Sequence, residues 1–377
     1  MLSDRALNRA TLERQLLLGR RADMTVLDTV AHLVGMQAQV PLDPYTALWS
    51  RLDGFRPDDL AQLLVDRSVV RIAAMRATIH LLTADDCLAL RPIAQPVLDR
   101  ELTGRKDMAP ALAGVDLAPV LAFAHELLSA TPLSTTKLRA ALADEFPDLD
   151  AAAMAYACRC HLPLVQVPPR GVWGKSLAVT LTPADTWLGR PLAPFPDTDM
   201  GGRAVTAAVD TVVLRYLGAF GPASTADVAT WCRLTGMREV TERLRPQLVS
   251  FRDERGRELF DLPDAPRPDP DTPAPTRFLP EYDNVLLSHD DRSRMGDRAW
   301  VGPLYDSDQL GWGSVLHDGR LYATWRLATD KAAGKATLTL KHRGPLPSDI
   351  TDEAERVLAF LSPTASERAL YLTDVDA

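Results

Sequence analysis

Cysteine is scarce and scattered in this chain, at positions 87, 158, 160 and 232 of 377 residues. Thiols so few and so irregularly spaced build no disulfide framework, and they point to a reducing, cytoplasmic setting. Cys158, Cys160 and His161 do sit together, in the apolar helical pattern AAAMAYACRCHLPL. Neighbours two apart on a helix face different sides, and no second Cys/His cluster completes a tetrahedral site. Buried structural cysteines are the better reading, and no metal or other cofactor is expected. Long apolar runs are missing as well: nothing approaches the ~20 residues that cross a bilayer. The N-terminus, MLSDRALNRATLERQ, is charged and helix-like and lacks the apolar core of a secretory signal. Nor is there an excess of positive charge. The formal net charge is −8, which as a bulk average counts against nucleic acid.

What is present is a globular composition, 46% hydrophobic and 24% charged, long enough for two or three domains. The clearest module covers 204–262. AVTAAVDTVVLRYLGAF has helical spacing and stops at Gly221-Pro222. Ser224 and Asp227 then offer a near capping box for STADVATWCRL. MREVTERLRP reads as a third helix, and LVSFRDERGRELFDL as a hairpin. Three helices and a hairpin make a winged helix. Residues 117–188 repeat the plan, LSATPLSTTKLRAAL against LGAFGPASTADVATW, with PLVQVPP and LAVTLTP as wing strands. The first hundred residues hold a less clear third copy, with helical patterns at 3–19, 25–37 and 57–66 and paired strands around Arg76-Ala77. Six prolines between Pro263 and Pro275 mark a linker. Beyond it, RFLPEYDNVLLSH, GWGSVLHDG, RLYATWRL and KATLTLKHR read as short strands, with a turn at Asp318-Gly319 and a terminal helix, TDEAERVLAFL. A small β-barrel or sheet domain is expected there.

Arginines cluster locally: Arg67, Arg71 and Arg76 in one segment, Arg292, Arg294 and Arg298 in another. A solvated charged surface accounts for any one such cluster. GMQAQVP, residues 35–41, is less ordinary. On a helix, residues two apart differ by about 200° around the axis. In extended backbone they point the same way. Pro41 pushes Val40 out of helical space and Pro44 follows. Gln37 and Gln39 are therefore expected on one side of a non-helical segment. Each carboxamide offers an acceptor and two donors, suited to fixing a water or a sugar oxygen. By spacing alone, two exposed polar residues at a helix end is the commoner explanation of so short a motif.

Three blocks shift that balance: Gly35-Met36-Gln37-Ala38-Gln39, Met75-Arg76-Ala77-Thr78-Ile79-His80, and Phe278-Leu279-Pro280-Glu281-Tyr282-Asp283-Asn284-Val285-Leu286-Leu287-Ser288-His289, extended by Asp291-Arg292-Ser293-Arg294. In kind and order they resemble the winged-helix DNA glycosylases of the AlkZ/YcaQ family. The resemblance implies an α+β fold, C-shaped around a DNA-sized concavity, of tandem winged-helix domains and a small C-terminal β-barrel. Mapped here, that gives an N-terminal winged-helix-like domain at 1–115, winged helices at 116–200 and 201–262, a linker at 263–276 and the barrel with its terminal helix at 277–377. The family's motif is Gln, an apolar residue, then Gln or Asp. Gln37-Ala38-Gln39 is similar to the azinomycin-resistance branch, which excises bulky N7-alkylpurines and unhooks interstrand crosslinks.

The implied protein is a monofunctional glycosylase suited to a cationic, already activated base, acting on double-stranded DNA as a cytoplasmic monomer and giving self-resistance to a genotoxic natural product. Gln37 and Gln39 are its candidate catalytic residues. Arg71, Arg76, Arg292 and Arg294 are candidate phosphate contacts, and His317, at the tip His317-Asp318-Gly319, is a candidate groove contact, with a plain exposed turn equally open. His80, Tyr282 and Asp283 read first as structural. The rival class is a non-enzymatic winged-helix transcription regulator. Against it, AAAMAYACRC is poor in the Arg, Asn and Gln that read bases, and MREVTERLRP is mixed.

Overall fold

The computed structural model describes residues 1–175, 177–194, 207–297 and 311–376. Arg298 lies outside them. A six-stranded sheet organises the N-terminal half. Its strands are β1 (Met36–Gln37), β2 (Val69–Ala73), β3 (Ile79–Thr83), β4 (Leu133–Ser134), β5 (Leu164–Gln166) and β6 (Thr180–Pro183), in the order β1-β3-β2-β5-β6-β4. The expected hairpin around Arg76-Ala77 is β2–β3. Its partner β5 belongs to the next repeat, with Arg71 opposite Gln166 and Ile72 opposite Val165. One sheet thus joins two segments that read as separate modules.

Helices pack around this sheet. Asp4–Arg14 and Val26–His32 begin at Ser3 and Thr25, whose hydroxyls accept from backbone N–H groups of the first turn. Both are shorter than the periodicity suggests. The helix Asp43–Arg51 was not legible as one, because Pro41 and Pro44 read as a loop. Proline is nonetheless accommodated in a first helical turn, where its missing N–H has no partner to lose. The second repeat supplies helices Ala118–Ala130, Thr135–Glu145 and Ala151–His161. In the module at 204–262 the order of elements is the expected one: helices Ala207–Phe220, Thr225–Cys232 and Met237–Leu244, then β7 (Val249–Arg252) paired with β8 (Glu258–Asp261). The Ser224/Asp227 capping box is formed.

The proline-rich stretch has no helix or strand, but it is pinned. Arg14 donates to Pro266 O at 3.2 and 3.1 Å, and Arg9 to Thr272 O at 2.7 Å. Arg14 also makes a buried two-pronged pair with Asp261, at 2.6 and 2.9 Å.

The C-terminal part differs from the expected barrel. It is a five-stranded sheet of β9 (Arg277–Leu279), β10 (Gly313–His317), β11 (Arg320–Asp330), β12 (Lys335–His342) and β13 (Glu367–Asp374), ordered β13-β12-β11-β10-β9. Among the described residues its end strands do not meet. The physical reason is the helix Ser348–Leu361. It crosses over so that β13 returns parallel to β12, and its Ile350, Ala354 and Val357 fill one face of the sheet with Phe278, Val315 and Leu338. Covered in this way, the sheet needs no closure. The short strand expected within 277–289 is three residues long and stops at Leu279. Tyr282 has φ 60° and the Asp283 carboxylate accepts from Val285 N at 3.1 Å, so the chain turns instead.

Candidate active site

The glutamine segment leaves the helix Val26–His32 through Gly35, at φ 86°. A Cβ there would stand 2.3 Å from Leu82 Cδ2, so glycine is needed where β1 closes on β3. In that pair Met36 faces Leu81 and Gln37 faces His80. Ala38 N continues the ladder to Ile79 O at 2.8 Å. The motif is therefore extended, as Pro41 implied, and both amides lie against one segment, 76–79.

Their orientation is set by chemistry. Gln37 Oε1 accepts from Arg76 Nη2 at 2.7 Å. Gln39 Oε1 accepts from Ile79 N at 3.2 Å. A guanidinium and a peptide N–H can only donate, so each amide must turn its oxygen toward this segment. Each oxygen keeps a second lone pair, and Gln37 Nε2 donates to nothing among the described residues. Gln37 is buried, with 9% of its surface exposed; Gln39 is exposed.

The donor Arg76 sits in the β2–β3 turn, where both it and Ala77 have positive φ, 56° and 57°. Non-glycine residues hold such angles at a cost of roughly 1–3 kcal/mol each. Arg76 also donates to Asn284 Oδ1 at 2.7 Å and to Trp231 O at 3.2 Å. Burial, then the nearby Arg233 and Arg292, lower its pKa to about 10, so it stays a cation. Asn284 in turn donates to Gly35 O at 3.3 Å. Its neighbour Asp283 takes a buried two-pronged pair from Arg51, at 2.9 and 2.8 Å. Residues 37, 76, 231 and 284 are brought together from four distant stretches.

Several sequence-derived assignments change. Arg71 is buried, with 1% of its surface exposed. It donates to Ala38 O and to Gln166 Oε1, both at 2.7 Å. It braces the centre of the motif instead of meeting a phosphate. Arg294 is also buried, donating to Thr11 Oγ1 at 3.1 Å and Pro222 O at 2.9 Å. Arg292 is exposed and forms no ion pair among the described residues, as a phosphate contact requires. The His317 tip is not free. His317 Nδ1 lies 3.1 Å from Asp349 Oδ2. Asp318 pairs with Arg5 at 2.7 Å and with Arg9, and Gly319 O accepts from Asn8 at 2.7 Å. The turn is docked on the first helix.

His80 is fully buried, its Nδ1 3.1 Å from Thr78 O. Burial and then Arg76 depress its pKa to about 3. It is therefore held as a neutral imidazole near neutral pH. Asp43, four residues past the motif, is the group that sequence reasoning missed. Burial, reinforced by Glu281 and Asp283 and opposed by Arg71, raises its pKa to about 8. An acidic residue at a helix start ordinarily signals a solvated N-terminus, so nothing in the sequence marks it. Arg233, exposed beside Arg76, was also missed. Cys158 and Cys160 are buried thiols raised by that burial to about 12 and about 11. No group of three or more His, Cys, Asp or Glu that could hold a metal occurs among the described residues. No described helix is long and apolar enough to cross a membrane.

Comparison with known proteins bears on this geometry. A family model described as DNA glycosylase AlkZ-like matches residues 30–360. A search of curated proteins returns no match. Among solved structures, the fold is similar to Streptomyces sahachiroi DNA glycosylase AlkZ, with a TM-score of 0.70 at 20% sequence identity, covering 99% of this chain and 100% of that one.

Proposed function

This chain belongs to the AlkZ-like DNA glycosylase family, and from that premise we propose that it hydrolyses the N-glycosidic bond of bulky N7-alkylpurine adducts and unhooks interstrand crosslinks. Its biological role on this reading is self-resistance to a genotoxic natural product such as azinomycin, exercised in the cytoplasm by a monomer. The observation that carries the proposal is the pair of oriented amides, Gln37 and Gln39, held by donors from one segment, 76–79.

The chemistry suits amides. Alkylation at N7 makes the purine cationic and so already activated as a leaving group. What remains is to place a water against C1′ and to stabilise charge developing on the sugar. Positioning supplies several kcal/mol without proton transfer, and fixed dipoles supply more. The Gln39 oxygen has a lone pair left for a water proton, and the Gln37 Nε2 donors are left for a water or sugar oxygen. No lysine nucleophile enters, so release ends at an abasic site without a lyase step. A crosslinked base cannot swing into a tight pocket, and N7 lies in the major groove. An open cleft fits that substrate. Tandem winged helices, bounded as set out above, would wrap such a cleft around the duplex. Arg292, with Arg76 behind it, would face the phosphates.

The test is incubation with duplex carrying N7-alkylguanine adducts and crosslinks, followed by heat or alkali. Strand breaks at the modified purines are expected. DNA binding without abasic sites on any such substrate would place the chain in the regulator class instead.

A further inference from the structure

Arg76 is a half-buried cation that pairs with no carboxylate among the described residues. Among the described residues its hydrogen bonds go to neutral oxygens only: Gln37 Oε1 at 2.7 Å, Asn284 Oδ1 at 2.7 Å and Trp231 O at 3.2 Å. Withdrawing a charge even partly from water without an ion partner is costly. Its backbone adds a second cost, the positive φ of 56° that a turn residue of this size rarely takes. Both costs fall on one residue, and its side chain touches the motif glutamine. The surrounding frame is rigid. Asn284, which shares the same Nη2 as Gln37, is tied to Gly35 O at 3.3 Å. The adjacent Asp283 is clamped by Arg51 at 2.8 Å.

We propose that Arg76, steadied by Asn284, is a positioning residue that locks the Gln37 carboxamide with its oxygen inward and its two N–H donors toward the substrate. The inference rests on the assignment of Gln37 to the reaction. A free amide would sample both faces, O or N outward, at similar energy. The donor-only guanidinium removes the O-outward state. Gln37 then meets the substrate as a donor, to a water, sugar or phosphate oxygen. Gln39, held by a single 3.2 Å bond from Ile79 N, keeps more freedom to accept.

The experiment is single-turnover base release from duplex containing N7-methylguanine, with enzyme saturating, alongside separate measurement of DNA affinity and melting temperature. The proteins are wild type, Gln37→Ala, Arg76→Lys, Asn284→Ala, and each of the last two combined with Gln37→Ala. Lysine keeps the charge but loses the planar fork. Arg76→Lys is expected to slow release by between about tenfold and about 10²-fold, with affinity little changed. In the Gln37→Ala background the same change should cost almost nothing, because no amide is left to orient. Asn284→Ala should follow in smaller measure, and it carries the comparison if Arg76→Lys does not fold. Losses that persist in full without Gln37 would overturn the proposal. So would full-rate release by both variants, or a defect confined to affinity, which would make Arg76 a phosphate contact. Wild-type release by Gln37→Ala itself would instead remove the parent assignment.

Discussion

His80 lies opposite Gln37 across the β1–β3 pair and is held neutral there by its surroundings. Its pKa is depressed from 6.5 to about 3 by burial and by Arg76. A base depressed in this way contributes stability that is present above its unfolded pKa and lost as pH falls from about 6.5 toward 3. Asp43 works in the other direction. Its carboxyl is raised from 3.8 to about 8, so its contribution is present below about pH 4 and lost as pH rises through 8. Between pH 7 and 5 the two therefore oppose each other, His80 lowering and Asp43 raising the melting temperature as pH falls, and His80→Gln should raise the melting temperature at pH 5 relative to pH 7 compared with the wild-type profile. Asp43→Asn should raise the melting temperature at pH 9 relative to wild type and leave it unchanged at pH 4. Thermal melts across that range check both; parallel profiles for wild type and variants would contradict the burial of these groups. At this scale the sequence was informative about Gln37 and Gln39, because Pro41 constrains the backbone locally. It was silent about Arg71 and Arg294. An arginine reads the same whether its head meets water or a carbonyl such as Ala38 O, supplied here by another strand.

Elements are joined in this protein by buried arginine pairs. Arg51 on the helix Asp43–Arg51 meets Asp283 in the turn after β9, with both side chains at most 3% exposed. Breaking such a pair from one side leaves an unpaired buried charge and costs roughly 3–5 kcal/mol. Arg51→Met should thus lower the melting temperature strongly and also slow base release, since Asp283 precedes Asn284 and hence the Arg76 contact. Replacing both partners, Arg51→Met with Asp283→Leu, should recover much of the stability. Melts of the single and double variants decide it, and an innocuous single variant would show that the pair does not tie these elements. Local signals announced the helix that caps itself, through Ser224 with Asp227. They failed where long-range contact decides. The helix at 43–51 was hidden by permitted prolines. The sheet at 277–374 stayed open because a helix covers its face, which strand periodicity alone cannot reveal.

On the scale of the whole molecule, a net charge of −8 must be reconciled with a polyanionic partner. Local arrangement can do so, since Arg233 and Arg292 are exposed near Arg76 and form no ion pair among the described residues. Each phosphate neutralised adds roughly −0.9 to the slope of log affinity against log salt. Arg233→Ala and Arg292→Ala should each flatten that slope by about 1, whereas Arg71→Ala and Arg294→Ala should lower stability without flattening it. Affinity titrations from low to moderate salt would contradict this if the slope were flat for wild type. The joining of two repeats in one sheet, through β2 and β5, was not legible, because nothing local marks the pairing of Arg71 with Gln166. The most direct test of the catalytic role of the two amides is single-turnover excision of N7-alkylguanine by Gln37→Ala and Gln39→Ala. Losing a positioned transition-state contact commonly costs ~2.7–4 kcal/mol, so each variant should release base about 10²–10³-fold more slowly while folding and binding DNA as wild type does. Excision at the wild-type rate in both variants would contradict it.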